Sequence, residues 1–283
     1  MLRVRLSLFF WNPTTPFFQQ TILKSYGIPT APFALIPHDE YDEDYSTYTA
    51  AMMDSHYPLF AKLNARGTSV GIFAYSKIDN AGQLNSTIER LKARYPIDDI
   101  LVEKFLAGRE FTVGIMGTGR AARVIGVTEI VWSKAQSSSS NAVQGGEVVD
   151  FATQSSKESL TWEGRASEVG PDASDPKVVL ASRVALDAYR ALRCRDLGRI
   201  DVRFGSGDDE NVAYVIDVSW TYTLGHAWVD IYTFLRQVNP IPGIHRNWSV
   251  LPLLAERNGI SYEALLDEVV QNALKRSKAV LLN

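Results

Sequence analysis

The chain has 283 residues, of which 46% are hydrophobic and 22% charged, so it is long enough and apolar enough to bury a substantial core. Its 29 basic and 32 acidic residues give a formal charge of -3, which excludes a general electrostatic attraction to nucleic acid or to an anionic membrane. The single cysteine, Cys194, excludes a disulfide within this chain and is expected to be a small core residue rather than a nucleophile.

The first 25 residues are expected to be a remnant or a wrongly defined N-terminus. Their apolar run at 6–11 is too short to span a membrane and lacks a cleavage site of small residues. No other segment approaches the ~18 apolar residues of a spanning helix. We therefore expect a cytoplasmic protein with neither a membrane nor a nucleic acid as its partner. Residues 19–26 predict a short helix that Gly27 closes, and the prolines after it require an extended chain.

The middle of the chain predicts several strands and one helix. Residues 57–63 predict a strand that delivers Lys62 to a glycine-containing turn at 66–71, and residues 80–95 predict a helix. Further strands are predicted at 100–103, 111–116 and 123–131. The serine- and glycine-rich stretch 133–146 is expected to be a mobile loop, because it has little to contribute to a core.

The second half predicts a helix at 175–192 and then a strand at 198–204, which forms a hairpin with a strand at 213–218. Residues 249–274 predict two short helices divided by Asn258 and Gly259, the second with Ser261 as its N-cap. Strands and helices are mixed without strict βαβ alternation. The fold class predicted is therefore α+β, with mainly antiparallel sheets.

The strand that carries Lys62 has the first residue pattern with chemical potential. Lys62, the hydroxyls of Thr68 and Ser69 and the backbone N–H groups of the turn could together hold phosphate oxygens. A surface lysine beside an ordinary turn would have the same sequence. This segment is therefore weak support for a phosphate site when taken by itself.

The second pattern is a short apolar hinge between two carboxylates. Glu103 and Glu110 bracket it, and Lys104, Phe105 and Leu106 follow the first carboxylate directly. Carboxylates suit hydrogen bonds from adenine and ribose, while Phe105 and Leu106 can line an apolar slot. The alternative is a strand end with solvated carboxylates.

The third pattern lies on the strand at 198–204, where the period of two places Arg199, Asp201 and Arg203 on one face and directs Ile200 and Val202 to the core. An arginine can stabilise developing negative charge, and an aspartate beside it can hold a divalent cation. The alternative is an ion pair on an edge strand.

The fourth pattern is an asparagine after an oxygen ligand. Asn239 lies in the segment 238–243, and either Asp217 or Gln237 precedes it as the first ligand. An oxygen ligand followed two residues later by an asparagine lies on one strand face and can complete a hard-metal site. Magnesium is the expected occupant, because it is usually held by a few carboxylates together with substrate phosphates.

The order of these segments resembles the D-alanine–D-alanine ligase family of ATP-grasp enzymes. The resemblance implies an ATP-grasp fold, with two α+β subdomains at 26–112 and 113–283 that clasp ATP and with the family's N-terminal domain missing before them. The motifs that carry it are Gly-Ile-Pro-Thr-Ala-Pro-Phe at 27–33, Gly-Thr-Ser-Val-Gly at 67–71, Val-Glu-Lys-Phe-Leu at 102–106, Glu-Phe-Thr-Val at 110–113, Gly-Arg-Ile-Asp-Val at 198–202, Val-Asn-Pro-Ile-Pro-Gly at 238–243 and Gly-Ile-Ser-Tyr at 259–262.

The resemblance also implies an activity, namely an ATP- and Mg²⁺-dependent ligase that joins a small-molecule carboxylate to an amine, amino acids among them, through an acylphosphate. The alternatives are an inactive or truncated remnant that binds nucleotide without turnover and a protein with no nucleotide site. A homodimer stays open. The roles that the resemblance assigns are catalysis for Arg199 and Ser69, nucleotide binding for Lys62, Thr68, Ser69, Glu103, Lys104, Phe105, Leu106 and Glu110, and metal binding for Asp201, Asp217 and Asn239.

The sequence departs from the family in several places. Pro16 stands where the family has a phosphate-binding lysine, Lys157 is a loose match for a second active-site lysine, and residues 245–248 replace a substrate-binding pair. Residues 218–237 predict an insertion, because deleting them joins Asp217 to the segment 238–243 and restores the family's motif. The insertion is either a retained intron, since its codons permit GT and AG ends, or a genuine lid.

Overall fold

The computed structural model describes residues 15–39, 43–66, 69–132, 151–154, 166–220, 243–247 and 249–281, and within these ranges the predicted α+β fold with antiparallel sheets is confirmed. Its helices are α1 (Pro16–Ser25), α2 (Glu43–Met53), α3 (Ala81–Arg94), α4 (Pro176–Ala191), α5 (Val250–Arg257) and α6 (Tyr262–Leu281). Its strands are β1 (Phe33–Ile36), β2 (Leu59–Leu63), β3 (Lys77–Ile78), β4 (Ile100–Lys104), β5 (Glu110–Met116), β6 (Arg123–Trp132), β7 (Ala166–Val169), β8 (Leu197–Phe204) and β9 (Ala213–Trp220).

The first four strands form the smaller sheet, in the order β1-β4-β2-β3. Alternate residues of β2 and β4, such as Ala61 and Val102, join one hydrophobic cluster with the apolar side of α3. The side chain of Asn80 caps that helix by accepting a hydrogen bond from the backbone N–H of Gln83. Phe60 and Lys62 alternate with these core residues along β2, so their side chains lie on the opposite face of the sheet.

The remaining strands form a five-stranded sheet in the order β7-β6-β5-β8-β9. Helix α4 covers one face, where Phe111, Ile200 and Val202 are fully buried. Helix α5 packs on the other face against β5 and β6. It comes close because Gly114 has no side chain, and a Cβ there would lie 2.6 Å from Cδ2 of Leu254. One end of this second face is thereby apolar and covered.

A β-bulge in the hairpin of β8 and β9 sets which side chains share that second face. Asp201 pairs with Asp217, but the next residue, Val202, pairs with Val215, so Ile216 is an extra residue in β9. Val215 and Val218 both belong to the core, although they are three residues apart. Asp217 therefore lies on the same face as Asp201.

Helix α1 joins the two sheets. It begins at Pro16, a favoured first position, and ends before Gly27, whose φ is 70°. The side chain of Gln19 donates to the carbonyl of Val218 in the larger sheet at 3.2 Å, and Gln20 donates to Glu103 in the smaller sheet at 2.9 Å. The helix that the sequence predicts is confirmed, with a start three residues earlier.

The linker from β4 to β5 passes close to the end of β8. The backbone N–H of Gly108 donates to the carbonyl of Phe204 at 3.0 Å, and the N–H of Phe204 donates to the carbonyl of Arg109 at 2.9 Å. A Cβ at Gly108 would lie 2.4 Å from the carbonyl oxygen of Gly205. The linker can therefore lie against the larger sheet only with glycine at this position.

Gly108→Ala is expected to destabilise the fold, because the backbone atoms that its methyl group meets cannot rotate away. We expect the free energy of unfolding to fall by about 1–3 kcal/mol, as for other overpacked sites. Gly82→Ala in α3 is the matched control, because a Cβ at Gly82 would lie 3.4 Å from Oδ1 of Asn80, which is an ordinary contact. This substitution should leave the free energy of unfolding unchanged or raise it. Urea unfolding followed by circular dichroism measures both. Equal midpoints for the two variants would contradict the close packing of the linker.

Several other predictions from the sequence can be compared with the structure. Cys194 is buried, and burial raises the pKa of its thiol, as expected of a core residue. Ser261 caps α6 by accepting from the N–H of Ala264. Among the described residues, none of the helices has the length and apolar character needed to cross a membrane. The subdomain limits at 26–112 and 113–283 stay a prediction, while the change of sheet falls between β4 and β5. The N-terminal run 6–11 and the loop 133–146 lie outside the described residues.

Candidate functional site

Lys62 and Glu103 meet on the face of the smaller sheet that does not pack against α3. Phe60 pairs with Glu103 across β2 and β4, and Lys62 lies two residues along on the same face. The ammonium of Lys62 is 2.7 Å from Oε1 of Glu103, and their side chains are only 15% and 9% exposed. A predicted phosphate ligand and a predicted nucleoside ligand therefore form one largely buried ion pair.

Gln20 completes this pair from α1. Its side-chain N–H donates to Oε2 of Glu103 at 2.9 Å, so each oxygen of that carboxylate has a partner. Its own carbonyl oxygen, Oε1, is buried without a partner among the described residues. Sequence reasoning missed Gln20, because a glutamine in an amphipathic helix carries no signal of its own.

Three phenylalanine rings form an apolar cluster at the start of the hinge. The ring centroid of Phe105 lies 6.0 Å from that of Phe60 and 6.1 Å from that of Phe151. Two cations face the ring of Phe105, with Nζ of Lys77 4.6 Å and Cζ of Arg203 5.2 Å from its centroid. Leu106, the next residue, is also buried. Phe105 and Leu106 are thus buried apolar residues, their role as the lining of a slot stays a prediction, and Arg203 connects the cluster to the larger sheet.

The glycine-containing turn is held by a segment that follows the serine-rich stretch. The amide oxygen of Gln154 accepts from the N–H of Gly71 at 3.0 Å and from the hydroxyl of Tyr95 at 3.1 Å. The N–H of Gln154 in turn donates to the carbonyl of Ile72. Ser69 is largely buried, with a φ of 59° that is uncommon outside glycine. Thr68 and Lys157 lie outside the described residues.

The larger sheet gathers Arg199, Asp201 and Asp217. Arg199 donates to Asp201 at 2.9 Å and lies 3.8 Å from Asp217, and the hydroxyl of Thr112 donates to the other oxygen of Asp201 at 2.8 Å. The face predicted for Arg199 and Asp201 is confirmed. Nε of Arg199 is buried and has no partner among the described residues. This arginine therefore keeps a donor that a ligand could use.

Asp201 and Asp217 are the two metal-ligand candidates that the structure brings together, as direct partners across β8 and β9. Burial and the charge of Asp217 raise the pKa of Asp201, and Arg199 opposes that rise. Two neighbouring carboxylates with part of their coordination open suit magnesium, which is usually shared with substrate phosphates. Ser219, two residues after Asp217, donates to it at 3.3 Å.

The other metal-ligand candidates are not tested. Asn239 and Gln237 lie outside the described residues. Within the described part of the chain, no group of three or more His, Cys, Asp and Glu residues is placed to hold a metal. The first three residues of the predicted insertion, 218–220, lie in β9, and Val218 is buried in the core.

Glu110 begins β5 and lies on the face of Asp201. Arg203 lies 3.3 Å from its Oε2, and the indole N–H of Trp132 donates to the same oxygen at 3.2 Å. Burial raises the pKa of Glu110, and Arg203 opposes that rise. Sequence reasoning missed Trp132, because its contact depends on the pairing of β5 with β6.

We give the name junction site to a set of residues from both sheets, which the contact of Arg203 with the ring of Phe105 connects: Lys62, Lys77, Glu103, Phe105, Glu110, Arg199, Asp201, Arg203 and Asp217. Its charges are unevenly divided. The larger sheet sets three carboxylates against two arginines, and the smaller sheet sets one carboxylate against two lysines. The first side suits a cation and the second an anion. A metal-bound polyphosphate has both charges.

Comparisons with known proteins point to one family. Residues 22–218 match the family described as D-ala D-ala ligase C-terminus. Relatives include D-alanine--D-alanine ligases from Prosthecochloris aestuarii, 28% identical over 89% of this chain and 57% of that protein, and from Streptomyces coelicolor, 28% identical over 92% and 56%. The chain thus spans little more than half the length of these relatives.

Solved structures show the same fold. D-alanine--D-alanine ligase from Bacillus anthracis complexed with ATP has a TM-score of 0.62 and 19% identity, over 94% of this chain and 67% of that one. The ligase from Coxiella burnetii also has a TM-score of 0.62, with 18% identity over 94% of this chain and 58% of that one.

Proposed function

The chain belongs to the family of D-alanine–D-alanine ligase C-terminal domains, and we propose that it binds ATP with Mg²⁺ at the junction site as part of a carboxylate–amine ligase. The observation that carries the proposal is the pairing of Lys62 with Glu103 on one sheet and of Arg199 with two aspartates on the other. The related Bacillus anthracis structure contains ATP, which supports this choice of nucleotide.

The smaller sheet and the hinge supply the nucleotide contacts in this proposal. Lys62 holds phosphate oxygens together with the turn, and Glu103 positions its ammonium. The apolar cluster around Phe105 accepts the base, a flat aromatic ring whose faces suit an aromatic lining. The remaining candidates are the hydroxyls of Thr68 and Ser69 at the phosphates, Lys104 and Leu106 beside the base, and Glu110 at the ribose.

Arg199 and the paired aspartates supply the chemistry. A carboxylate oxygen of the first substrate attacks the γ-phosphorus and ADP leaves; the amine nitrogen then attacks the acyl carbon, loses a proton, and phosphate leaves. Negative charge develops on oxygen in both steps, and the buried Nε–H of Arg199, which has no partner among the described residues, is a donor that can meet it. Mg²⁺ held by Asp201 and Asp217, with Asn239 as the further candidate, would neutralise phosphate charge.

The test is phosphate release from ATP by the purified chain. It should depend on Mg²⁺ and on a carboxylate and an amine together, supplied as pairs of amino acids, and omission of either partner should abolish it. ATP binding without turnover for any pair would leave the second candidate, a protein that binds nucleotide without turnover. Failure to bind ATP would contradict both. The same assay on a variant lacking Val218–Gln237 tests whether the predicted insertion limits activity.

A further inference from the structure

We propose that Lys77 is a nucleotide-binding residue whose ammonium takes the negative charge of the nucleotide's phosphates. The proposal rests on the proposed function, because it concerns the same site. Lys77 begins β3 and pairs with Phe60 of β2. Cross-strand partners point to the same face of a sheet, so Lys77 shares the face of Phe60 and Lys62. It therefore belongs to the junction site.

The surroundings of Lys77 differ from those of the other cations at this site. Each of the others has a carboxylate partner: Glu103 for Lys62, Asp201 for Arg199 and Glu110 for Arg203. Within the described part of the chain, Lys77 has no such partner, and its ammonium lies over the ring of Phe105.

A ring face attracts an ammonium but uses none of its three N–H donors. Lys77 is half-buried, so water satisfies these donors less fully than at an open surface. An anion entering beside Phe105 would gain charge-assisted hydrogen bonds from Lys77 without breaking an ion pair. Lys62, by contrast, must share its charge with Glu103. Lys77 is thus the cation of this face that is ready to bind phosphate.

Titration calorimetry of the full chain with ATP, ADP, AMP and adenosine tests the proposal. Lys77→Met keeps the apolar stem and removes the charge, and Lys77→Arg keeps the charge. The matched control is Lys177→Met, because Lys177 also lies over a ring, that of Phe204 at 5.1 Å, but on helix α4 and outside the junction site.

We expect Lys77→Met to weaken ATP and ADP binding by roughly 10- to 100-fold, the range for hydrogen bonds to charged groups. Adenosine binding should be unchanged, Lys77→Arg should bind ATP almost as tightly as the unaltered chain, and Lys177→Met should have no effect. Unchanged ATP binding by Lys77→Met would overturn the proposal. An equal loss of affinity for ATP and adenosine would also overturn it, because Lys77 would then contact the base and not the phosphates. If the unaltered chain binds none of the four ligands, the proposed function itself fails.

Discussion

Arg199→Ala is expected to slow turnover by roughly 10²- to 10³-fold, the scale observed when one preorganised oxyanion donor is lost. Arg199 is held beside Asp201, so its charge is positioned before substrate arrives, and its Nε–H has no partner within the part of the chain that the structure describes. ATP affinity should change little, because the base and the phosphates are held mainly by the smaller sheet and the hinge. Steady-state phosphate release and ATP titration together separate the two quantities.

Two further variants sharpen that experiment. Arg199→Lys retains the charge but not the planar fork of donors, so it should recover only part of the rate. Arg120→Ala is the control, since Arg120 is exposed in a turn beyond the end of β5 and should be replaceable without effect. Turnover by Arg199→Ala at the unaltered rate would show that the catalytic arginine has been wrongly assigned.

Asp201→Asn is expected to raise the Mg²⁺ concentration needed for ATP-dependent turnover by roughly 10- to 100-fold. Losing a residue that only hydrogen-bonds to a metal ligand already has an effect of this size, so losing a ligand should have at least as large an effect. Asparagine has the same shape but no charge, and Asp217 alone is a weaker ligand set. The side chain of Asp217 is 45% exposed against 14% for Asp201. Asp217→Asn should therefore also raise the Mg²⁺ concentration needed for turnover, but by a smaller factor.

The fold should survive the substitution of Asp201. Burial raises the pKa of Asp201 in the folded chain. Asp201 therefore stabilises the fold most in its protonated form, and that contribution is lost as the pH rises through the raised pKa. Asparagine also removes the ion pair between Asp201 and Arg199, so urea unfolding of Asp201→Asn measures how much stability the substitution costs. Asp187→Asn, at an exposed position on α4, is the control. An unchanged Mg²⁺ requirement for both aspartate variants at the site would contradict the metal assignment.

Local periodicity explains what the sequence predicts well. Helix α4 follows from the spacing of its apolar residues and from Asp175, whose side chain caps it. The common face of Arg199 and Asp201 follows from the two-residue period of β8. Helix α2 was not predicted, because its Ser, Thr and Tyr residues give no clear apolar stripe, and four-residue β7 is too short to show alternation.

The missed parts of the site depend on contacts between distant segments. Gln20 reaches Glu103 across 83 positions, and Gln154 reaches Gly71 across the same number. Lys77 is recognisable as a site residue only from the pairing of β3 with β2 and from the position of its ammonium over the ring of Phe105. The bulge at Ile216 likewise depends on the register of two strands. No local pattern in one sequence encodes these distances.

The central claim is that ATP with Mg²⁺ binds where the two sheets meet, and hydrogen–deuterium exchange with and without Mg·ATP tests it most directly. We predict slower exchange in three regions: β2 with the turn that follows it, the β4–β5 linker with its flanking residues, and the hairpin of β8 and β9. A ligand that binds the folded chain stabilises the parts that it contacts. Protection confined to α5 and α6, or no protection at saturating Mg·ATP, would contradict the account.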